Sequence, residues 1–307
     1  MRAGYCGESD GVRIAWAGRH FGEEPPLTVW GGSGAIFFTG CALACPFCQN
    51  WQLSHAGMGC AVDCDEFVRI CLRLQEAGAE NINLVTAGHH TPHVAEYLRA
   101  AKQAGLTLPV VWNSSAYESI QTLQLLVDVV DVWLPDFKTA SPSVARRLFA
   151  APDYPSVAKR AIEWMVTHSP LEVHDVARGS DVREKITRGV IVRHLALPGL
   201  IDETIEALQW LKDNVDARAG VSLMCQYTPT KGAGRAGFQS LDRTLNGEEM
   251  GTLDDLVAAF DFQLLYKQEA GCQEELLMPD FSTPHAFPPT LATPVWHWRE
   301  GFVAQQP

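Results

Sequence analysis

The segment from Gly34 to Cys48 is Gly-Ala-Ile-Phe-Phe-Thr-Gly-Cys-Ala-Leu-Ala-Cys-Pro-Phe-Cys, an apolar run followed by three closely spaced cysteines. The apolar run has the composition of a strand buried on both faces of a parallel sheet. Cys41, Cys45 and Cys48 follow it with the spacing C-x3-C-x2-C. We therefore expect the three thiols just beyond the carboxyl end of a strand, where the ligands of parallel α/β folds gather.

Three thiolates at this spacing are suited to bind a 4Fe–4S cluster and to leave its fourth iron without a protein ligand. An open iron can chelate the amino and carboxylate groups of S-adenosylmethionine. The reduced cluster would then cleave a C–S bond and release a 5′-deoxyadenosyl radical, which abstracts hydrogen from a substrate. The alternatives are buried core cysteines or a zinc site. Zinc favours four ligands in paired motifs, and the one comparable pair is Cys60 and Cys64.

Apolar runs rich in Val and Ile recur along the chain and alternate with helical patterns. Together with Gly34–Thr39 they make six predicted strands, the others being Asn81–Thr86, Leu108–Asn113, Val129–Leu134, Gly189–His194 and Val221–Cys225. Six β–α steps predict an α/β fold of the partial (βα)6 TIM-barrel type, with a doubly wound sheet as the alternative.

Helix signals lie between the predicted strands. Asp63 is an expected N-cap, with Glu66 three residues later as a capping-box-like pair. Other helices are expected near Pro92–Ala104, Tyr117–Leu126, Ser156–Thr167, Asp202–Asp213 and Leu253–Gln268. The charged stretch Asp175–Lys185 is expected to be a solvated connection.

The last 30 or so residues differ in composition, because several prolines interrupt any regular element there. We expect residues 1–275 to form the barrel domain and residues 276–307 to form an extended Pro-rich C-terminal tail. Trp296 and Trp298 indicate that this tail packs against the domain.

Composition excludes several classes of protein. The 307 residues carry a formal net charge of −12, which argues against a nucleic-acid partner. No secretory signal and no long apolar run are present, so we expect a cytoplasmic protein without a membrane contact. The nine cysteines are odd in number and clustered, which is typical of reduced, metal-binding thiols and not of disulfides.

The cysteine motif, with Phe47 before its third cysteine, resembles the radical S-adenosylmethionine superfamily. Segments elsewhere in the chain are similar to homologues of pyruvate formate-lyase activating enzyme. They include Gly32-Ser-Gly-Ala-Ile-Phe-Phe-Thr-Gly-Cys41, Leu134-Pro-Asp-Phe-Lys138 and Val190-Ile-Val-Arg-His-Leu-Ala-Leu-Pro-Gly199. The similarity runs from about Cys6 to about Gly271. It implies the partial barrel, the 4Fe–4S cluster and S-adenosylmethionine.

The resemblance also implies a cofactor site at the strand ends. Asn113 and the pair Asp136 and Lys138 match positions that approach the aminocarboxylate of the cofactor. Thr86 begins the stretch that stands where the superfamily has Gly-Gly-Glu, and we assign it to the cofactor as well. Arg193, at the end of the fifth predicted strand, is expected to hold an anionic group of cofactor or substrate.

His89 and His90 follow the second predicted strand and are candidate substrate contacts. The chain is thus expected to be an activating-enzyme-like oxidoreductase that takes electrons from a reductant such as flavodoxin or ferredoxin. Its substrate is expected to be a protein glycyl residue, a peptide or a small molecule. The alternative is a non-catalytic iron–sulfur protein for electron transfer or sensing. No role is assigned to the remaining cysteines, which include Cys6, Cys60, Cys64, Cys225 and Cys272.

Overall fold

The computed structural model describes residues 5–8, 10–43, 45–230, 232, 237–267 and 278–304. The strands in these ranges are β1 (Arg13–His20), β2 (Ser33–Phe38), β3 (Cys60–Ala61), β4 (Ile82–Val85), β5 (Val110–Ser114), β6 (Val132–Pro135), β7 (Glu172–Arg178), β8 (Asp181–Leu195), β9 (Gly220–Met224), β10 (Leu265–Lys267), β11 (Ala292–His297) and β12 (Gly301–Phe302). The helices are α1 (Pro25–Thr28), α2 (Trp51–Ser54), α3 (Cys64–Glu76), α4 (Thr91–Gln103), α5 (Ile120–Gln124), α6 (Pro142–Phe149), α7 (Tyr154–His168), α8 (Ile201–Asn214) and α9 (Gly247–Phe260).

Parallel strands in the order β2-β4-β5-β6-β8-β9-β10 form the centre of the sheet. The first six of them are the six strands predicted from the apolar runs, and the seventh, β10, is short. Most of their residues are buried, because helices cover one face and other chain segments cover the opposite face. The α/β fold with a partial TIM-type barrel is therefore confirmed.

Helix α3 shows how local sequence positions one of the covering helices. The Asp63 carboxylate accepts a hydrogen bond from the Glu66 amide at 2.8 Å, as an N-cap does. Phe67, Ile70 and Leu74 recur at helical spacing and are fully buried. The Glu66 side chain does not complete a capping box; its Oε1 accepts from the indole Nε1 of Trp296 at 3.0 Å.

One local prediction was wrong and a second was incomplete. The last helix, expected over Leu253–Gln268, ends at Phe260, because Asp261 adopts a left-handed conformation and its amide bonds Val257 O. Residues 265–267 form β10 instead, while Gln268 lies outside the described ranges. The stretch Asp175–Lys185 is solvent-exposed as predicted, but it is part of the antiparallel hairpin β7–β8, whose outer half is exposed on both faces and so tolerates many charges.

Short α1 lies on the face of the sheet opposite to the long helices. Its Leu27 packs with Val111, Leu134 and Ile191. The residues next to these three along their strands point to the opposite face of the sheet, into the core that the long helices cover. The side-chain amide of Asn81 donates to the Leu27 carbonyl at 2.8 Å. Since α1 follows antiparallel β1, it enters the barrel from the amino ends of the parallel strands and forms its floor.

The described part of the C-terminal segment closes the other side of the barrel. Strand β11 pairs antiparallel with β1, and β12 pairs with β11. Phe281 and Phe287 are buried against Phe37 and Trp16 on the inner face of β2 and β1. The predicted domain boundary at 275/276 lies outside the described residues and stays a prediction. Within the described residues, no helix has the length and apolarity needed to cross a membrane.

Candidate active site

The loop that carries the three cysteines begins directly after β2. Gly40 has φ +84°, and a Cβ at this position would lie 2.8 Å from the carbonyl oxygen of Cys6 and 2.9 Å from Nε2 of His89. A side chain is thus excluded on both conformational and steric grounds. The amide of Cys41 then donates to that same Cys6 carbonyl at 3.3 Å, which fixes the first cysteine relative to β2.

Cys41, Cys45 and Cys48 all line one cavity of about 710 Å³ at the carboxyl ends of the parallel strands. The Cys41 sulfur accepts a hydrogen bond from the Leu43 amide at 3.3 Å. Burial raises the pKa of the Cys41 thiol to about 11, and burial also raises the pKa values of Cys45 and Cys48. Desolvated thiols of this kind need a positively charged ligand to stabilise their thiolates, and iron would supply it.

The donor set fits an iron–sulfur cluster with one open iron. Within the described residues, no fourth cysteine lines the cavity. Cys60 lies in β3 and Cys64 starts α3, while Cys71 and Cys225 are buried in the core. Cys272 lies outside the described ranges. No three His, Cys, Asp or Glu side chains in the described part of the chain are arranged to hold a single metal ion. In a 4Fe–4S cluster, by contrast, each thiolate binds its own iron.

Arg193 is the centre of a polar network on the wall of the same cavity. Its Nε donates to Asp136 Oδ1 at 2.9 Å, its Nη1 donates to Glu23 Oε2 at 3.2 Å, and its Nη2 donates to Asn113 Oδ1. Lys138 Nζ donates to the other Asp136 oxygen at 2.7 Å. The four predicted residues Asn113, Asp136, Lys138 and Arg193 are therefore brought together, and all of them line the cavity.

The charges in this network stabilise one another. Burial opposes ionisation of Asp136, but Arg193 and Lys138 outweigh it and hold the pKa of this carboxyl below its usual value. Burial also opposes the charged form of Lys138, but Asp136 outweighs it and raises the lysine pKa. The site thus presents fixed ionised groups at neutral pH, which suits a zwitterionic ligand.

Tyr154, at the start of α7, holds the turn between Asp136 and Lys138. Its hydroxyl donates to the Asp136 carbonyl at 2.7 Å and accepts from the Lys138 amide at 2.9 Å. The ring is fully buried. The sequence analysis missed this residue, although it lies in a conspicuous Asp153-Tyr-Pro155 segment.

Thr86 lies at the end of β4 in a strained conformation. Its φ is +63°, a value that side chains rarely adopt, and its amide donates to the Asn113 carbonyl at 2.9 Å. The residue lines the cavity, as its assignment to the cofactor requires.

The two predicted histidines lie behind the cysteine loop and do not line the cavity. The His89 ring bonds the Thr39 carbonyl through Nε2 at 2.7 Å. His90 is 2% exposed, and burial lowers its pKa to about 3. Both side chains therefore adjoin the start of the loop that carries Cys41.

Glu23 and Glu24 line the cavity from its floor, and the sequence analysis missed them. They end the connection from β1 to α1, ahead of Pro25 at the first helical position. Asn83 Nδ2 donates to Glu23 Oε1 at 3.2 Å. No local pattern in the sequence could have found this pair, because acidic residues are common before the first turn of a helix.

Comparisons with known proteins agree with this fold. The family model of the radical S-adenosylmethionine superfamily (Radical SAM) matches residues 35–211, more than half of the 307 residues. The chain therefore belongs to the radical SAM superfamily, whose members are generally enzymes. An uncharacterised protein of Methanocaldococcus jannaschii, MJ0674, is 30% identical over 255 residues, which cover 80% of this chain and 67% of that protein.

Two solved structures share the fold at low sequence identity. SuiB of Streptococcus suis, bound to S-adenosylmethionine, has a TM-score of 0.53 and 12% identity; the match covers 78% of this chain and 50% of SuiB. A radical SAM methyltransferase from Sphaerobacter thermophilus has a TM-score of 0.53 and 14% identity, covering 83% of this chain and 69% of that protein. The present chain thus spans about half the length of SuiB.

Proposed function

We propose that this protein is a radical SAM enzyme in which Cys41, Cys45 and Cys48 hold a 4Fe–4S cluster with one iron open to S-adenosylmethionine. The observation that supports this most directly is that the three thiols line the same cavity as the network of Asp136, Lys138 and Arg193. When both groups are bound, the cluster and the cofactor supply a 5′-deoxyadenosyl radical.

The protein's own residues would bind and orient the cofactor. Lys138 is the cation available for its carboxylate, because one of the three ammonium donors bonds Asp136 and the described residues give the other two no acceptor. Each of the three Arg193 nitrogens bonds a side chain, so Arg193 acts as a support for Asp136 and Asn113. The Thr86 backbone, held by Asn113, offers polar groups at the adjoining strand end.

The apolar walls of the site suit the control of a reactive species. Phe37, Phe47 and Phe287 contribute apolar walls, so that a substrate displaces water when it enters. The substrate would be held for hydrogen abstraction on the side of the cavity away from the cysteines. A glycyl residue of a partner protein, a peptide and a small molecule all remain candidates, and a flavodoxin or ferredoxin would supply the electron.

Anaerobic reduction with dithionite in the presence of S-adenosylmethionine tests the proposal. We expect the reconstituted protein to form 5′-deoxyadenosine, and the variant with Cys41, Cys45 and Cys48 all changed to Ala to form none. Cys64→Ala is the matched control, since this cysteine does not line the cavity, and it should retain the wild-type rate. A wild-type protein that holds the cluster yet forms no 5′-deoxyadenosine would instead favour electron transfer or sensing.

A further inference from the structure

Glu24 on the cavity floor differs from every other charged group in the polar network. Glu23 accepts from Arg193 with one oxygen and from Asn83 with the other. Glu24 is 7% exposed, lines the cavity, and has an oxygen, Oε2, that is buried without a hydrogen-bond partner in the described part of the chain. Its carboxylate is therefore buried but incompletely satisfied.

The neighbouring cations are already committed. Arg193 directs all three of its nitrogens to Asp136, Glu23 and Asn113. Lys138 bonds Asp136, and Lys267 bonds Asp254. Among the described residues, Glu24 therefore forms no hydrogen bond to a cation, although Arg193 is close enough to attract its charge. A buried carboxylate oxygen without a hydrogen-bond partner is unfavourable, because it loses its hydration without compensation.

The surroundings of Glu24 differ from those of the cofactor residues. Thr86, Asn113, Asp136 and Lys138 lie at the carboxyl ends of β4, β5 and β6. Glu24 instead lies near Arg193 of β8 and Ser222 of β9, which both oppose the rise in its pKa that burial causes. Leu195, Met224 and Leu265 line the cavity at β8, β9 and β10. The floor carboxylate is thus reached along an apolar wall.

We propose that Glu24 binds a cationic group, an alkylammonium or a guanidinium, at the end of an aliphatic segment of the substrate. A cation there would offset the desolvation of the Glu24 carboxylate, while the alkyl chain would contact the apolar side chains of β8–β10. The floor would in this way fix how deeply the substrate enters the barrel. The inference rests on the proposed function in one respect, namely that the bound cation belongs to the substrate.

Direct binding to the cluster-loaded protein tests the inference without any need for cofactor cleavage. The probes are n-butylammonium chloride, as a free amine, and N-acetyl-lysine methylamide, as a lysyl side chain. Isothermal titration should show saturable binding of at least one probe to the wild type. The probe that binds more tightly then indicates whether the bound cation is a free amine or a lysyl side chain. Binding to Glu24→Gln should be weaker by about tenfold or more, the expected loss for a charge-assisted hydrogen bond.

Matched controls separate charge recognition from general effects. n-Butanol and N-acetyl-norleucine methylamide have nearly the same shape without the charge and should not bind, at constant ionic strength. Glu118→Gln removes another buried carboxylate, one that lies outside the cavity lining and bonds Trp112 and Ser114, and it should bind the ammonium probes as the wild type does.

The outcomes are distinct. The inference is overturned if neither cationic probe binds the wild type, or if charged and neutral probes bind it equally. These measurements need only the wild type, so they remain decisive even if Glu24→Gln does not fold. Equal affinity of wild type and Glu24→Gln overturns it as well. Formation of 5′-deoxyadenosine is measured separately, so that failure of the proposed function and failure of the cation site are distinguishable.

Discussion

Asp136 and Arg193 are linked through both their side chains and their backbones. The guanidinium Nε lies 2.9 Å from Asp136 Oδ1, and the two residues form a parallel bridge in which the amide of Phe137 donates to the Arg193 carbonyl at 2.8 Å. The ends of β6 and β8 are thereby joined at the cavity. Because Arg193 holds one oxygen of Asp136, the other oxygen is left to orient Lys138.

Lys138→Ala should weaken S-adenosylmethionine binding while leaving the cluster intact. The lost charge-assisted hydrogen bond is worth roughly 1.5–3 kcal/mol, which corresponds to about 10- to 150-fold in Kd. Equilibrium binding with the cluster-loaded protein measures the effect. Lys102→Ala removes a lysine remote from the cavity that pairs with Asp131 and should leave Kd unchanged. Equal affinity of Lys138→Ala and wild type would contradict the assignment.

Single replacements of Cys41, Cys45 or Cys48 by Ala should each reduce bound iron and the visible absorbance of the cluster. A methyl group cannot ligate iron, and two remaining thiolates hold a cluster weakly. Iron and sulfide are determined after anaerobic reconstitution, with Cys64→Ala as the control. Full iron content in all three variants would contradict the ligand set.

Tyr154→Phe should destabilise the turn that carries Asp136 and Lys138. It removes a buried donor and acceptor and leaves the Asp136 carbonyl and the Lys138 amide unsatisfied, at about 1–3 kcal/mol. We expect a lower midpoint in chemical denaturation together with weaker cofactor binding. Tyr117→Phe, whose hydroxyl bonds the exposed side chain of Asp153, serves as the comparison. Loss of stability with unchanged cofactor affinity would show that Tyr154 supports the fold alone.

His89→Ala should accelerate loss of iron from the loaded protein. The variant loses the bond to the Thr39 carbonyl, two residues before Cys41, so the cysteine loop is less firmly held. Release of iron to a chelator measures the rate. If His89→Ala keeps its cluster and forms 5′-deoxyadenosine at the wild-type rate but loses turnover with a substrate, the original hypothesis of a substrate contact holds instead.

His90 should make stability depend on pH on the acid side. Burial lowers its pKa in the folded state to about 3 from the ordinary 6.5, so the unfolded state binds more protons between these values. Its contribution is complete above pH 6.5 and is lost as pH falls, with a slope of at most about 1.4 kcal/mol per pH unit. Thermal denaturation of wild type and His90→Leu from pH 7 to pH 4.5 measures this. A parallel decline in both proteins would contradict the assignment.

The sequence predicted the part of the site that follows from parallel strands. Carboxyl ends of such strands meet at one edge, so that Cys41 after β2, Asn113 at the end of β5 and Asp136 after β6 reach the same cavity. Spacing along the chain was sufficient for these positions, because the strand pattern determines which end of each strand faces the site.

The remainder depends on tertiary packing that no local pattern encodes. Glu23 and Glu24 follow an antiparallel strand, and they reach the cavity only because α1 enters the barrel from the opposite end. His89 follows a parallel strand as predicted, but the 3-10 turn Gly88–His90 directs its ring to the Thr39 carbonyl. Tyr154 lies at the start of α7 and holds the turn after β6 through its hydroxyl. Hydrophobic periodicity along the sequence could not predict that these residues lie at the site.

The pairing of β11 with β1 has a consequence for how the protein is made. On the ribosome β1 emerges before the parallel strands, with β2 and the three cysteines close behind it, whereas β11 and Phe287 follow every parallel strand. One edge of β1 and one wall of the cavity therefore stay open until β11 has been translated. Any insertion of a cluster before that point would take place in a half-built, water-filled site, so we expect maturation of this protein to be post-translational.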